Sequence, residues 1–140
     1  EALETAGGIA KALPLLGNAP FGAVNGDIHT DFDFATLKEP HGVAAHLILV
    51  ENPPHHPRGD FALQNGRVAN EGAPLRTFSG IGVYDPSLFS HIAVGSKAQL
   101  AAVLRPQIGA GRVTGELHRG RWLDVGTPER LAALDRALRL

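Results

Sequence analysis

The sequence has no cysteine among its 140 residues, which excludes a disulfide scaffold, a thiolate zinc site and a cysteine nucleophile. Methionine is absent as well, and the sequence opens at Glu1; an upstream portion of the polypeptide is therefore expected. Excess charge is lacking too: 13 basic residues against 14 acidic ones give a formal net charge of −1. That leaves no basic field for non-specific binding to nucleic acid. No apolar run approaches the roughly 20 residues of a membrane span, and no signal-peptide pattern opens the chain, so the expectation is a soluble, cytoplasmic protein without membrane partners. What remains is ordinary globular material. Hydrophobic residues make up 44% and charged residues 19%, enough to bury one compact α/β or α+β core, or part of a larger one. Seventeen glycines and ten prolines stay below the share that marks a low-complexity chain.

Hydrophobic periodicity alternates between helix and strand, without repeats or a linker. Residues 5–16 carry Ile9, Ala12, Leu13 and Leu16 at helical spacing, although Gly7, Gly8 and Pro14 weaken the two ends. Residues 20–25 are short and apolar, like a strand buried on both faces, and a short helix is expected over 33–37. Residues 43–50 form an almost unbroken apolar run and predict a second central strand. The run Asn52-Pro53-Pro54-His55-His56-Pro57 must be a loop. Strands over 60–63 and 67–69 flank Asn65-Gly66, a strong hairpin turn signal. A further strand is expected over 76–84, where Gly80 and Gly82 suggest a close neighbour. Asp85-Pro86 caps a short helix through Phe89. Ser96 caps a longer one that turns Leu100, Val103 and Leu104 inward. Residues 113–118 and 121–125 read as paired strands around Arg119-Gly120. Thr127-Pro128 opens a final helix with Leu131, Leu134 and Leu138 on one face. The pattern is that of a mixed α/β sheet flanked by helices.

In open α/β sheets ligands collect at the carboxyl ends of strands, and two acids fall at such ends. Asp27 follows the apolar strand in Asn25-Gly26-Asp27, and Asp124 ends Arg121-Trp122-Leu123 just before a Gly-Thr-Pro helix start. Two carboxylates brought together repel unless a cation separates them. A hard divalent ion such as Mg²⁺ takes oxygen ligands and completes its shell with water and phosphate oxygens, so the pair suggests phosphoryl or nucleotidyl chemistry. The alternative leaves Asp27 a turn former and Asp124 a helix-start residue.

The stretches Asn25-Gly26-Asp27-Ile28 and Arg119-Gly120-Arg121-Trp122-Leu123-Asp124-Val125-Gly126-Thr127-Pro128-Glu129 resemble the sugar-1-phosphate nucleotidyltransferase family, and so does Glu4-Thr5-Ala6-Gly7-Gly8-Ile9. Within it, Asn52-Pro53-Pro54-His55-His56-Pro57 and Thr77-Phe78-Ser79-Gly80-Ile81-Gly82-Val83-Tyr84 are similar to the branch that uridylylates N-acetylmuramate 1-phosphate in bacterial cell-wall recycling. The resemblance covers essentially the whole chain. It implies a Rossmann-like core, here incomplete, and a metal-dependent transfer of a nucleoside monophosphate from a triphosphate, UTP by this branch, to a sugar 1-phosphate with release of pyrophosphate. By the same match, Asp27 and Asp124 would hold Mg²⁺ as the catalytic pair. Thr5, Ala6 and Gly7 would lie beside the base, and Asn25 near the nucleoside. Gly59, Asp60, Ser79 and Gly80 would line the sugar pocket.

The chain also departs from the family. The Gly-rich turn that cradles the triphosphate, and the Lys-Pro that follows it, have no counterpart here; Lys11, Lys38 and Lys97 stand in other contexts. Residues 1–140 therefore read as the C-terminal portion of a single nucleotidyltransferase domain. Alone, this portion is expected to bind triphosphate poorly and to leave a sheet edge and apolar surface open. The acidic-Lys-Pro contact of related thymidylyltransferases is missing as well, because Gly72 follows Glu71. Other residues read as structural. His55 and His56 belong to a surface or substrate-lid loop, and His46 to the core as a hydrogen-bonded side chain. His29 and His118 sit near the sheet edge, Trp122 packs beside Asp124, and Arg119 and Arg121 lie on a solvated face. Two other classes stay open: a catalytically silent module that binds a sugar nucleotide and regulates, and a metal-dependent phosphohydrolase.

Overall fold

The computed structural model describes residues 19–24, 28–37, 42–90 and 100–124, with the backbone alone for Asp124. The expected helices over 5–16 and after Thr127, the Ser96 cap, and Thr5, Ala6, Gly7, Asn25 and Asp27 lie outside the described residues. Six strands form one sheet in the order β1-β6-β3-β7-β5-β4: β1 (Phe21–Val24), β3 (Ala45–Val50), β4 (Phe61–Gln64), β5 (Arg67–Ala69), β6 (Leu75–Tyr84) and β7 (Val113–His118). A separate two-stranded ribbon joins β2 (Ile28–Thr30) to β8 (Trp122–Asp124). One helix is described, α1 (Leu100–Gly109). The architecture is mixed α/β, as the pattern requires.

The unbroken apolar run becomes β3 because it is covered on both faces. Leu47 and Leu49 point to one side and pack with Phe61, Tyr84, Phe89, Val103, Leu104 and Ile108, whereas Ile48 points to the other and meets Phe32 and Ile81. This alternation is the period-2 geometry of a strand inside a two-sided sheet. The apolar face of α1 carries Leu100, Val103, Leu104 and Ile108 onto the first of these clusters. Asn65-Gly66 turns the β4–β5 hairpin with φ of 53° and 80°, the left-handed pair of a type I′ turn. Asp85 caps the turn Pro86–Phe89 through its carboxylate, which accepts from the Ser87 N–H at 2.9 Å. A 3-10 turn, Phe34–Thr36, occupies the short helix expected over 33–37 and is capped by Asp33.

Two expectations are corrected. Strands β7 and β8 are not partners across Arg119-Gly120. Strand β7 lies parallel to β3 and touches β5, while β8 runs antiparallel to β2. Two apolar runs around a Gly-containing turn satisfy local hairpin chemistry, but β3 offers β7 a full six-residue parallel register and a buried position, which a hairpin partner of three residues cannot match. The first strand is also not buried on both faces. Strand β1 alternates between partly buried and exposed residues, with Val24 at 46% exposure. Among the described residues it pairs on one side only, with β6.

Candidate functional site

The parallel pair β3 and β7 ends in register at Val50 and His118, so the chain emerges twice at one sheet edge, where open α/β folds place their ligands. Beyond that edge lies a cleft of about 200 Å³. From the β3 side it is lined by Val50, Glu51, Pro53 and Pro54. From the β7 side it is lined by His118, Arg119, Gly120, Trp122 and Leu123.

Trp122 ties this second stretch of the lining to the sheet. Its indole Nε1–H donates to the Ser79 carbonyl at 2.9 Å. Ser79 and Gly80 are the two extra residues of an irregularity in β6: Ile48 pairs with Ile81, and the next residue, Leu49, pairs with Phe78. A bulge of this kind needs a residue that tolerates positive φ, and Gly80 supplies it at 86°. The buried Ser79 hydroxyl takes up the interrupted ladder, donating to the Ile48 carbonyl at 2.6 Å and accepting from the Ile81 N–H at 3.1 Å. Gly82 answers a different need, because a Cβ there would lie 2.7 Å from the Tyr84 hydroxyl. Burial pushes that phenol's pKa well above its ordinary value, so Tyr84 is neutral packing.

Gly59 and Asp60 lie under the Pro-rich loop. Gly59 has φ of 74°, and a Cβ there would come within 2.6 Å of the Leu75 carbonyl oxygen. Asp60 accepts from the Phe78 N–H at 2.8 Å with one carboxylate oxygen and contacts His56 Nε2 at 2.9 Å with the other. Both oxygens retain lone pairs for a further donor. The contact to Phe78 brings Asp60 next to Ser79 and Gly80 along β6, so these three expected residues share one stretch of the sheet. Asn52 closes the loop by donating to the carbonyls of Pro57 and Leu75 and accepting from Thr77. His46 is hydrogen-bonded, as expected, to Thr114 and Glu116 at 2.8 and 3.0 Å.

On the ribbon, Asp124 stands opposite Ile28, His29 opposite Leu123, and Thr30 opposite Trp122. The pairing continues through the Asp31 N–H to the Arg121 carbonyl at 3.2 Å, an oxygen that also accepts from the Thr30 hydroxyl. Asp31 meets His118 Nε2 at 2.9 Å. Partial desolvation acts to raise the Asp31 pKa, but the His118 hydrogen bond, the Arg121 backbone and the Coulombic pull of His118 outweigh it, and the carboxyl sits below its ordinary value. Gly120 leaves room for this contact, since a Cβ there would lie 2.5 Å from the Asp31 oxygen. Glu51 accepts from Arg119 at 3.2 Å and lies 3.6 Å from Arg76.

Sequence reasoning passed over Glu51 and Asp31. Glu51 had a usable signal, as the first residue beyond a central strand; Asp31 had none, because its partner is 87 positions away. Among the described residues no group of three or more His, Asp or Glu side chains could hold a metal ion. No helix among them is long and apolar enough to cross a membrane.

No family model matches the chain. Its sequence is 53% identical over 137 residues to the N-acetylmuramate alpha-1-phosphate uridylyltransferase of Neisseria meningitidis serogroup B, a match covering 92% of this chain and 59% of that protein. The chain thus spans about three fifths of this relative's length. Among solved structures, HddC from Yersinia pseudotuberculosis, complexed with GMP-PN, matches with a TM-score of 0.72 at 17% identity, over 99% of this chain and 64% of that one. The inositol-1-phosphate CTP transferase from T. maritima matches with a TM-score of 0.70 at 14% identity, over 97% and 61%. At such identities the structural likeness concerns the fold. The chain has the nucleotidyltransferase fold, and its sequence resembles the sugar-1-phosphate nucleotidyltransferases through the C-terminal part of a uridylyltransferase.

Proposed function

We propose that residues 1–140 are the C-terminal portion of a single nucleotidyltransferase domain that moves UMP from UTP to N-acetylmuramate 1-phosphate, releasing pyrophosphate, in the recycling of cell-wall sugar in the cytoplasm. The observation that carries this is the register of the ribbon: Asp124 pairs with Ile28, the residue that follows Asp27 in the sequence. Covalent continuity keeps the Cα atoms of residues 27 and 28 about 3.8 Å apart, which supports a site built from both acids.

The donor set fits a hard cation, since two carboxylates offer the oxygens that Mg²⁺ prefers and leave positions for phosphate. A divalent ion held by Asp27 and Asp124 would neutralise phosphate charge and template the two substrates. In the transfer, an oxygen of the sugar phosphate forms a bond to the α-phosphorus of UTP, and the bond from that phosphorus to the pyrophosphate oxygen breaks. Such chemistry asks the protein for position and electrostatics. Gly59, Asp60, Ser79 and Gly80 support the sugar side: Asp60 keeps lone pairs for hydroxyl donors, and the β6 bulge holds backbone groups toward the cleft lining. Thr5, Ala6, Gly7 and Asn25 are assigned to the nucleotide side by resemblance.

The test is pyrophosphate release by the complete polypeptide across several sugar 1-phosphates and triphosphates with Mg²⁺. Asp27→Asn and Asp124→Asn are each expected to lower turnover by about 10²-fold or more while leaving the melting temperature nearly unchanged. Near-normal rates in both variants would overturn the two-acid site. Tight sugar-nucleotide binding without turnover would point to a silent regulatory module, and phosphate release without a sugar acceptor to a phosphohydrolase.

A further inference from the structure

The ribbon pairs Asp124 with Ile28, but that register relates its two strands to each other and not to the main sheet. Strand β7, by contrast, is locked into the sheet by its six-residue parallel register with β3. The chain passes from β7 to β8 through Arg119, Gly120 and Arg121, all exposed. Three exposed residues with a glycine at their centre make a joint and not a strut.

Asp31 spans that joint. Its carboxylate meets Nε2 of His118, the last residue of β7, at 2.9 Å. Its N–H donates at 3.2 Å to the carbonyl of Arg121, the residue just before β8. The residues on either side brace it. The Thr30 hydroxyl donates to the same Arg121 carbonyl and accepts from the Phe32 N–H at 3.1 Å. The Phe32 ring meets the His118 ring edge-on, with centroids 5.3 Å apart. Residues 30–32, running straight on from β2, thus hold both ends of the step. The Asp31 side chain is 57% exposed, and a pair so exposed adds little to stability; what it fixes is geometry. Asp31 does not line the cleft, so any effect it has on substrates there passes through the elements it joins. The joint lies at the Thr30–Trp122 end of the ribbon and Asp124 at the other, two residues or about 7 Å away, so a tilt at the joint is carried to the acids.

We propose that Asp31 is a positioning residue for nucleotidyl transfer: by bridging His118 and Arg121 it holds the ribbon, and the acid pair at its far end, in one place relative to the sheet. This rests on the two-acid site proposed above. A shift of about 1 Å in a reacting arrangement can cost about 10²-fold in rate, so loosening the joint acts on catalysis far more than on stability.

The experiment uses the complete polypeptide and its Asp31→Ala and Asp31→Asn variants, with two measurements. Amide hydrogen exchange in the metal-free protein compares residues 122–124 with residues 113–117. Pyrophosphate release from UTP and N-acetylmuramate 1-phosphate, titrated with Mg²⁺, gives kcat and the Mg²⁺ concentration for half-maximal rate. In Asp31→Ala, exchange over 122–124 is expected to quicken about 10-fold while 113–117 stays as in wild type. Its kcat should fall and its Mg²⁺ requirement rise, each by about 10-fold. Asp31→Asn keeps an oxygen to accept from His118 and should lie between the two; it decides the matter if Asp31→Ala does not fold. Faster exchange with unchanged kcat and Mg²⁺ requirement makes Asp31 purely structural and overturns the proposal. So do altered kinetics without a change in exchange, since Asp31 then acts by some route other than the ribbon. In both cases nucleotidyl transfer stands. Wild type that releases no pyrophosphate from any pair of substrates overturns the transfer reaction itself, and the catalytic role of Asp31 with it.

Discussion

Single residues around the cleft are set by contacts that a larger side chain would displace. At Gly120 a methyl group would meet the Asp31 oxygen at 2.5 Å and the His118 ring at 2.8 Å. Both are ends of side chains that can turn aside, so Gly120→Ala is expected to cost little, about 0.5 kcal/mol or less in urea unfolding, while separating Asp31 from His118. That contact also sets a pH dependence. The folded-state pKa of Asp31 lies below its ordinary value of 3.8, so its contribution is present above that value and is lost as pH falls through the lowered one. Melting temperatures followed from pH 5 downward should fall more steeply in wild type than in Asp31→Asn. Equal slopes would show that the carboxylate contributes nothing to the ribbon. The sequence showed Gly120 as a turn glycine, but the reason for a glycine is steric and comes from a residue 89 positions earlier.

Elements differ in how much of their geometry is local. The β4–β5 hairpin is wholly so, because Asn65 and Gly66 adopt the two left-handed conformations that its turn demands. Gly66→Ala, at φ of 80°, is expected to lose about 1–2 kcal/mol, and a melting curve will measure it. If stability is unchanged, the turn is not fixed by its left-handed pair. Helix α1 and strand β3 were legible for the same reason, since their periodicities declare which faces are buried. The partner of β7 was not. A hairpin with β8 and a parallel pairing with β3 satisfy the same local pattern, and the choice falls to long-range burial. The β6 bulge was visible only as a Gly80 expected to have a close neighbour; its position depends on the register of β3, which no local rule supplies.

Across the whole molecule, the ribbon bearing Asp124 is joined to the main sheet, among the described residues, by the Trp122 indole, which donates to the Ser79 carbonyl, and by the contact of Asp31 with His118 at the end of β7. Trp122→Phe keeps most of the packing surface and removes the donor. It should lower stability by about 0.5–1.5 kcal/mol and raise KM for the sugar phosphate, because this stretch of the cleft lining is no longer anchored to the bulge. A loss of stability with unchanged KM would mean that the ribbon keeps its position without this hydrogen bond. The expected sugar-side residues converge at this scale: Asp60 reaches Phe78, beside Ser79 and Gly80, and Trp122 reaches Ser79 from the ribbon.

By itself the sequence determined the α/β class, most strand positions, the hairpin turn, the cap at Asp85 and, through its motifs, the family resemblance. Each of these is written in periodicity, in backbone preference or in short runs of adjacent residues. Only the tertiary structure decided that β7 lies parallel to β3, that Asp124 stands opposite Ile28, and that Glu51, His118, Arg119 and Trp122 border one cleft. Those facts join residues tens of positions apart, and their energy comes from burial and electrostatic pairing that exist only once the chain has folded.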